Sequence, residues 1–322
     1  MKGDSIWQSF NINIYFHGED EVIKGFGIRK RRILMNITLD TGENLFYVKR
    51  DGGEHVLLLI HGNMASSAQW DLLLKEIDPV FTVYAIDLRG YGQSTYHQPV
   101  NSIKDFSDDI KQLVDQLDLK TFSLLGWSNG GGVAMQFAID YPDYVQKIVL
   151  LSSMSTRGYP AFNTEGKRIH SREQLVKDPG LNRMLDAQKM NNQAFFRSAM
   201  DQVLYSVNQP NEEQYQKYLT SATQQRNILD AAYAANVFNI STVSNGVADG
   251  TGEIRNLAAP ILVIWGKNDL IVSEIMTLEI IEDLQEAGID FRYASVNAGH
   301  ALLIDNLEVV LKETYTFLNL KV

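Results

Sequence analysis

The sequence predicts an α/β fold, a mostly parallel sheet covered by helices on both faces, with a helical cap inserted between two strands. Three observations carry this reading. From residue 33 onward, apolar runs of strand length alternate with segments of helical periodicity. A glycine-flanked serine, Gly126-Trp127-Ser128-Asn129-Gly130, separates one such run from a helix-like segment. The alternation then stops after Leu151 and resumes near Ile254, an interval far too long for an ordinary connection.

The elements follow in order along a chain of 322 residues, long enough for a sizeable core. Residues 1–32 form an N-terminal extension. It carries the basic cluster Arg29-Lys30-Arg31-Arg32, read as a solvated patch, and a turn signal at His17-Gly18-Glu19-Asp20 that suggests an extra hairpin. Residues 33–39 and 45–49 flank Asp40-Thr41-Gly42-Glu43-Asn44 and read as an antiparallel hairpin. Residues 55–60, 81–86, 122–125, 148–151 and 261–265 are nearly continuous apolar runs, as expected of strands buried on both faces. Between them, residues 107–117 place Ile110, Leu113, Val114 and Leu117 on one helical face. Residues 131–140 continue as a helix from the serine turn, and Pro142 ends it.

Residues 157–252, rich in Gln, Asn, Met, Tyr and Phe, have helical periodicity and are assigned to the cap. Asn245-Gly246, Asp249-Gly250 and Thr251-Gly252 are turn signals that return the chain to the sheet. A last strand at 291–296, a loop at 297–300 and a helix near 307–317 complete a core made of residues 33–156 and 253–322.

Composition excludes several functions. The formal net charge of −10 opposes binding to phosphate backbones, so no nucleic-acid partner is expected. The absence of cysteine removes disulfides, thiolate metal sites and a cysteine nucleophile. No run is long enough to span a bilayer, and the first residues lack a basic segment followed by a long apolar one. A soluble, cytoplasmic protein with no metal and no cofactor is expected, with homo-oligomerisation left open.

A serine hydroxyl must be exposed, aimed and deprotonated to act as a nucleophile, and a tight strand-to-helix turn supplies the first two conditions. Ser128 sits at such a turn, and the N–H of Asn129 is placed to donate to a developing oxyanion at the helix N-terminus. Of the six histidines, only His300 lies where a last strand hands over to a last helix. Reactive groups gather at the carboxyl ends of strands in such sheets, so His300 is the expected base. Asp269 follows residues 261–265 at another strand end and is the expected acid, because Leu151-Ser152-Ser153-Met154 after the preceding strand offers no carboxylate.

The second oxyanion donor is expected from the loop after residues 55–60, where Gly62 permits close approach and the N–H of Asn63 can point inward. His61 reads as a structural hydrogen-bonding residue. Trp127 and Met64 are expected to contact substrate, while Phe162, Phe195, Phe196 and Tyr233 are acyl-pocket candidates that helical packing also explains as cap core.

Together, His61-Gly62-Asn63, Asp87-Leu88-Arg89-Gly90-Tyr91-Gly92-Gln93-Ser94, Gly126-Trp127-Ser128-Asn129-Gly130, Gly266-Lys267-Asn268-Asp269 and Gly299-His300 resemble the α/β-hydrolase superfamily. The resemblance runs from about residue 33 to the C-terminus, excluding most of the cap. It implies an eight-stranded, mostly parallel sheet with the Ser128, Asp269, His300 triad under a mobile cap. Haloalkane dehalogenases and epoxide hydrolases of the superfamily carry an aspartate where Ser128 stands, and their alkyl-enzyme chemistry needs that carboxylate. Carbon–carbon bond hydrolases usually show a glycine-rich stretch with proline where Met64-Ala65-Ser66-Ser67 stands. The expected activity is hydrolysis of a carboxylic ester of a small to medium acyl substrate. The alternatives are a ligand-sensing protein of slow or single turnover, and an amidase, peptidase or lactonase using the same triad. For a peptidase, Glu212-Glu213 is the adjacent carboxylate pair of the cap.

Overall fold

The computed structural model describes residues 32–319 and, before them, the short strands β1 (Ile12–Tyr15), β2 (Glu21–Val22) and β3 (Arg29–Lys30). The main sheet contains β4 (Arg32–Thr38), β5 (Asn44–Arg50), β6 (His55–Ile60), β7 (Phe81–Ile86), β8 (Phe122–Trp127), β9 (Val145–Leu151), β10 (Ile261–Gly266) and β11 (Phe291–Val296). These eight strands are the expected set, and β1 adds a ninth on the outer edge, in the order β1-β4-β5-β7-β6-β8-β9-β10-β11. Pairing is antiparallel from β1 through β5 to β7 and parallel from β7 to β11.

The turn expected at residues 17–20 lies outside the described residues, whereas in the basic cluster Arg29 and Lys30 form β3 and Arg32 opens β4. The strands on either side of that turn pair elsewhere: β1 lies against β4, and β2 against β3.

The pleat divides the core in two. Leu58 and Ile60 of β6, Leu124 of β8 and Val263 of β10 face one side, where α2 (Ile103–Gln116), α3 (Asn129–Asp140) and α9 (Glu274–Ala287) pack. Leu57, Leu59, Leu125 and Ile264 face the other, against α1 (Asp71–Glu76) and α11 (Leu307–Leu318), which the short α10 (Leu302–Asp305) precedes. Burial on both faces is why these strands read as continuous apolar runs.

Some boundaries differ from expectation. Helix α2 begins earlier than residue 107, because the Asp105 carboxylate reaches back to accept the Ser102 N–H (3.0 Å) and opens the helix there. Helix α9 is absent from the sequence reading, although Ser273 caps its start and Gly288 closes it at φ 70°.

Between β9 and β10 the chain forms α4 (Arg172–Val176), α5 (Pro179–Lys189), α6 (Gln193–Val203), α7 (Glu212–Gln224) and α8 (Ile228–Val237). A cluster of Phe196, Met200, Tyr205, Tyr215 and Tyr218 holds this helical insertion together. Among the described residues, no helix is long and apolar enough to cross a membrane.

Candidate active site

The register of the parallel strands brings their carboxyl ends to one edge: Ile60 pairs with Gly126, Trp127 with Leu151, and Gly266 with Val296. Ser128 follows β8 directly and adopts φ 56°, ψ −123°, a conformation that a non-glycine residue occupies only under constraint. The surroundings supply that constraint. Its N–H donates to Leu151 O (3.0 Å), and its carbonyl accepts from the N–H groups of Gly131 (3.0 Å) and Met154 (3.1 Å). A Cβ on Gly130 would lie 2.2 Å from the Ile60 carbonyl oxygen, so only glycine lets α3 start this close to β6.

His300 and Asp269 are bonded to each other. The His300 Nδ1 lies 2.8 Å from Asp269 Oδ2, with the side chains only 3% and 0% exposed. A carboxylate only accepts, so Nδ1 carries the proton and Nε2 of the neutral ring keeps its lone pair. Asp269 Oδ1 is held in turn by the N–H groups of Ile271 and Val272, each at 2.8 Å. The loop carrying His300 is fixed at two further points: Trp127 Nε1 donates to His300 O (3.0 Å), and the Gly299 N–H donates to Asp305 Oδ2 (2.7 Å).

The loop after β6 lies against Ser128, since a Cβ on Gly62 would fall 2.8 Å from the Ser128 Cβ. Asn129, the first residue of α3, has no intrahelical acceptor for its N–H, and the Asn63 N–H has no protein acceptor among the described residues. His61 is fully buried; its Nε2 accepts the Leu88 N–H (3.1 Å), so Nδ1 is protonated and donates to Gly62 O (2.7 Å). Burial pushes its pKa down to about 4, which keeps the ring neutral.

Ser128, His300, Asn63, Asn129, Trp127 and Met64 all line one cavity of about 350 Å³ beneath the helical insertion. Asp269 stands behind His300 and does not reach the cavity wall. Apart from Gln69 and Tyr159, the rest of the lining is apolar, including Met154, Met184, Phe195, Phe196, Met200 and Leu204, and it carries no Lys, Arg, Asp or Glu. Of the other pocket candidates, Phe162 is 56% exposed and Tyr233 packs against the Arg172 guanidinium, and neither lines the cavity. Glu212 and Glu213 are exposed and ion-paired with Arg197 and Lys217. Met154, Met184 and Gln225 belong to the site's surroundings without any sequence signal that marks them. Among the described residues, no group of three or more His, Asp or Glu side chains is arranged to hold a metal ion.

Known proteins share much of this architecture. A 2-hydroxy-6-oxononadienedioate/2-hydroxy-6-oxononatrienedioate hydrolase of Pseudomonas putida is 26% identical over 241 residues, 72% of this chain and 78% of that protein. An uncharacterized protein of Mycobacterium tuberculosis is 36% identical over 102 residues, so the matched part spans 32% of this chain and only 30% of that relative. Three solved structures are alike in fold. A hydrolase from Pseudomonas aeruginosa PA01 has a TM-score of 0.68 at 20% identity, covering 88% of this chain and 98% of that one. The enol-lactonase from Burkholderia xenovorans LB400 has 0.67 at 19%, covering 88% and 99%. A thermophilic esterase from Thermogutta terrifontis has 0.61 at 23%, covering 89% and 98%. The family model described as alpha/beta hydrolase fold matches residues 55–307, from β6 through the loop that carries His300. With that match covering most of its length, the chain belongs to the α/β-hydrolase fold family.

Proposed function

We propose that this hydrolase cleaves carboxylic esters with an uncharged, small to medium acyl group through an acyl-enzyme on Ser128. The observation that carries the reading is one apolar cavity onto which open Ser128, a His300 ring oriented by Asp269, and the unclaimed N–H groups of Asn63 and Asn129. His300 Nε2 takes the Ser128 proton as Oγ attacks the ester carbonyl. The two N–H groups hold the oxyanion, each worth about 10²–10³ in rate. His300 then gives the proton to the departing alcohol, and water activated by the same nitrogen clears the acyl group. Helices α4–α8 act as the cap of this site, and Trp127 and Met64 form part of its wall.

The charge of the substrate follows from the lining. The Pseudomonas putida relative is named for dioate substrates, which carry two carboxylates. A carboxylate brought into this cavity would meet no cationic side chain, and an unpaired buried charge costs several kcal/mol. Esters and lactones with uncharged acyl groups avoid that cost.

The test is turnover of p-nitrophenyl esters of increasing acyl length by wild type and Ser128→Ala, with a parallel series bearing a terminal carboxylate on the acyl chain. Serine-dependent multiple turnover is expected, at least about tenfold faster for the uncharged series, as each lost 1.4 kcal/mol is a factor of ten. Release that stops after one equivalent supports a sensing role instead, and activity retained by Ser128→Ala moves the nucleophile elsewhere.

A further inference from the structure

The residue that closes α7, Gln225, is fully buried and spends its whole amide on the junction between the insertion and the oxyanion loop. Its Oε1 accepts the Met64 N–H (2.9 Å), and its Nε2 donates to Asn63 Oδ1 (2.7 Å) and Asn227 Oδ1 (2.9 Å). The orientation of the amide is determined, because a flipped group would set an NH₂ against the Met64 N–H. Asn63 Oδ1 also accepts from the Tyr91 hydroxyl (3.0 Å). Met64 meanwhile adopts φ 53°, left-handed backbone that a methionine does not keep without outside support.

The main chain next to Gln225 is latched to the core by separate contacts. The Arg226 N–H donates to Gly90 O (2.7 Å), and its guanidinium reaches the carbonyls of Tyr91, Gly92 and Ser94. Asn227 Nδ2 donates to Arg89 O (2.7 Å). Gln225 therefore stands on an anchored segment and grips the turn at its two successive residues, by the side chain of Asn63 and the main chain of Met64. That grip consumes the Met64 N–H, while the Asn63 N–H has no protein acceptor among the described residues, in a loop pressed against Ser128.

We infer that Gln225 is a positioning residue for the oxyanion hole, through which the helical insertion holds the Asn63–Met64 turn in its donating geometry. The inference rests on the assignment of Asn63 as an oxyanion donor above. A side chain that only fastened the insertion to the core would influence stability and substrate access. One that sets the Asn63 N–H influences the transition state, where the oxyanion forms, more than the ground state.

The experiment compares Gln225→Met, which keeps most of the volume and removes the amide, with Gln225→Ala and with Arg226→Ala. The last loosens the same junction without touching Asn63 or Met64. Four quantities are measured: kcat, KM, thermal midpoint, and affinity for a boronic acid that forms a tetrahedral adduct on Ser128. Gln225→Met is expected to lower kcat by about 10- to 100-fold, less than the full worth of one oxyanion donor because the N–H is misplaced rather than removed, with KM changed less than about threefold. Boronate affinity should fall by a similar factor. Arg226→Ala is expected to lower the thermal midpoint while kcat stays within about twofold, a contrast that survives even where Gln225→Ala fails to fold.

Equal kcat in Gln225→Met and wild type, or the same proportion of lost kcat to lost stability in Gln225→Met and Arg226→Ala, overturns the inference. Labelling by a fluorophosphonate separates this failure from that of the hydrolase reading. A wild type that labels at Ser128 alongside a Gln225→Met that labels equally fast refutes only the positioning role. A wild type that does not label refutes the serine chemistry and the inference with it.

Discussion

Trp127, the residue before Ser128, donates its indole N–H to the main-chain carbonyl of His300 at 3.0 Å, with the two rings 5.4 Å apart between centroids. The last strand position of β8 thus braces the loop that carries His300, one residue before the turn at Ser128. Trp127→Phe keeps the aromatic wall and removes the donor, leaving a buried carbonyl unpaired. The expected result is a loss of about 1 kcal/mol in loop positioning, read as a kcat reduced about 5- to 10-fold. An unchanged kcat would show that the remaining contacts of the loop, Gly299 with Asp305, His300 with Asp269 and Asn268 with Ala298, hold it without the indole.

Asp269→Asn tests the proposed role of His300 as a base oriented by Asp269. Asp269 Oδ1 accepts two main-chain N–H groups, from Ile271 and Val272, so an asparagine is forced to keep its oxygen on that side. Its NH₂ then faces His300 Nδ1 and makes that nitrogen the acceptor, which moves the ring proton to Nε2. A protonated Nε2 cannot take the Ser128 proton. The expected loss in kcat is about 10³–10⁴-fold with the fold intact, measured beside circular dichroism. A near-wild-type rate would sink the assignment of Asp269.

What was legible in the sequence follows from how local each feature is. The strands before Ser128 and Asp269 are buried on both faces, β11 before His300 is the half-exposed edge, and the residues just beyond all three ends are fixed by the register of a parallel sheet. Residue order alone therefore placed Asp269 and His300 at neighbouring strand ends, and the two lie bonded. The insertion offers no such rule. Its helices show which faces are apolar without showing whether a face meets the cavity or its neighbours, so Phe195 and Phe196 at the wall and the exposed Phe162 looked alike. Gln225 was invisible because its role lies in partners 161 and 162 residues away, Met64 and Asn63. The edge position of β1 was equally non-local, being defined only by its pairing with β4.

Gly130→Ala should be a folding defect rather than a chemical one. Its Cβ would meet backbone, 2.2 Å from Ile60 O and 2.6 Å from His61 O, and strand β6 cannot yield as a flexible side chain would. Either α3 lifts from the sheet or the loop carrying Asn63 shifts, and overpacking of this kind costs about 1–3 kcal/mol or more. The expected outcome is a lower thermal midpoint together with lost activity. A variant with wild-type stability would mean that the β6–α3 approach relaxes freely.

His61 gives the stability of the fold a pH dependence whose sign is set by burial. Its pKa falls from 6.5 to about 4 in the folded chain, so below pH 6.5 the unfolded chain binds a proton that the folded one refuses. The contribution is fully present above pH 6.5 and is lost as pH falls toward about 4, reaching about 3 kcal/mol. Protonation also removes the acceptor for the Leu88 N–H, which reinforces the direction. In His61→Gln, an amide oxygen can accept that N–H without titrating. Urea midpoints measured from pH 7.5 to pH 4.5 should therefore fall more steeply for wild type than for the variant, the gap opening below pH 6.5. A gap that stays constant across this range would mean that His61 is not the titrating group, because the other carboxylates and histidines are common to both proteins.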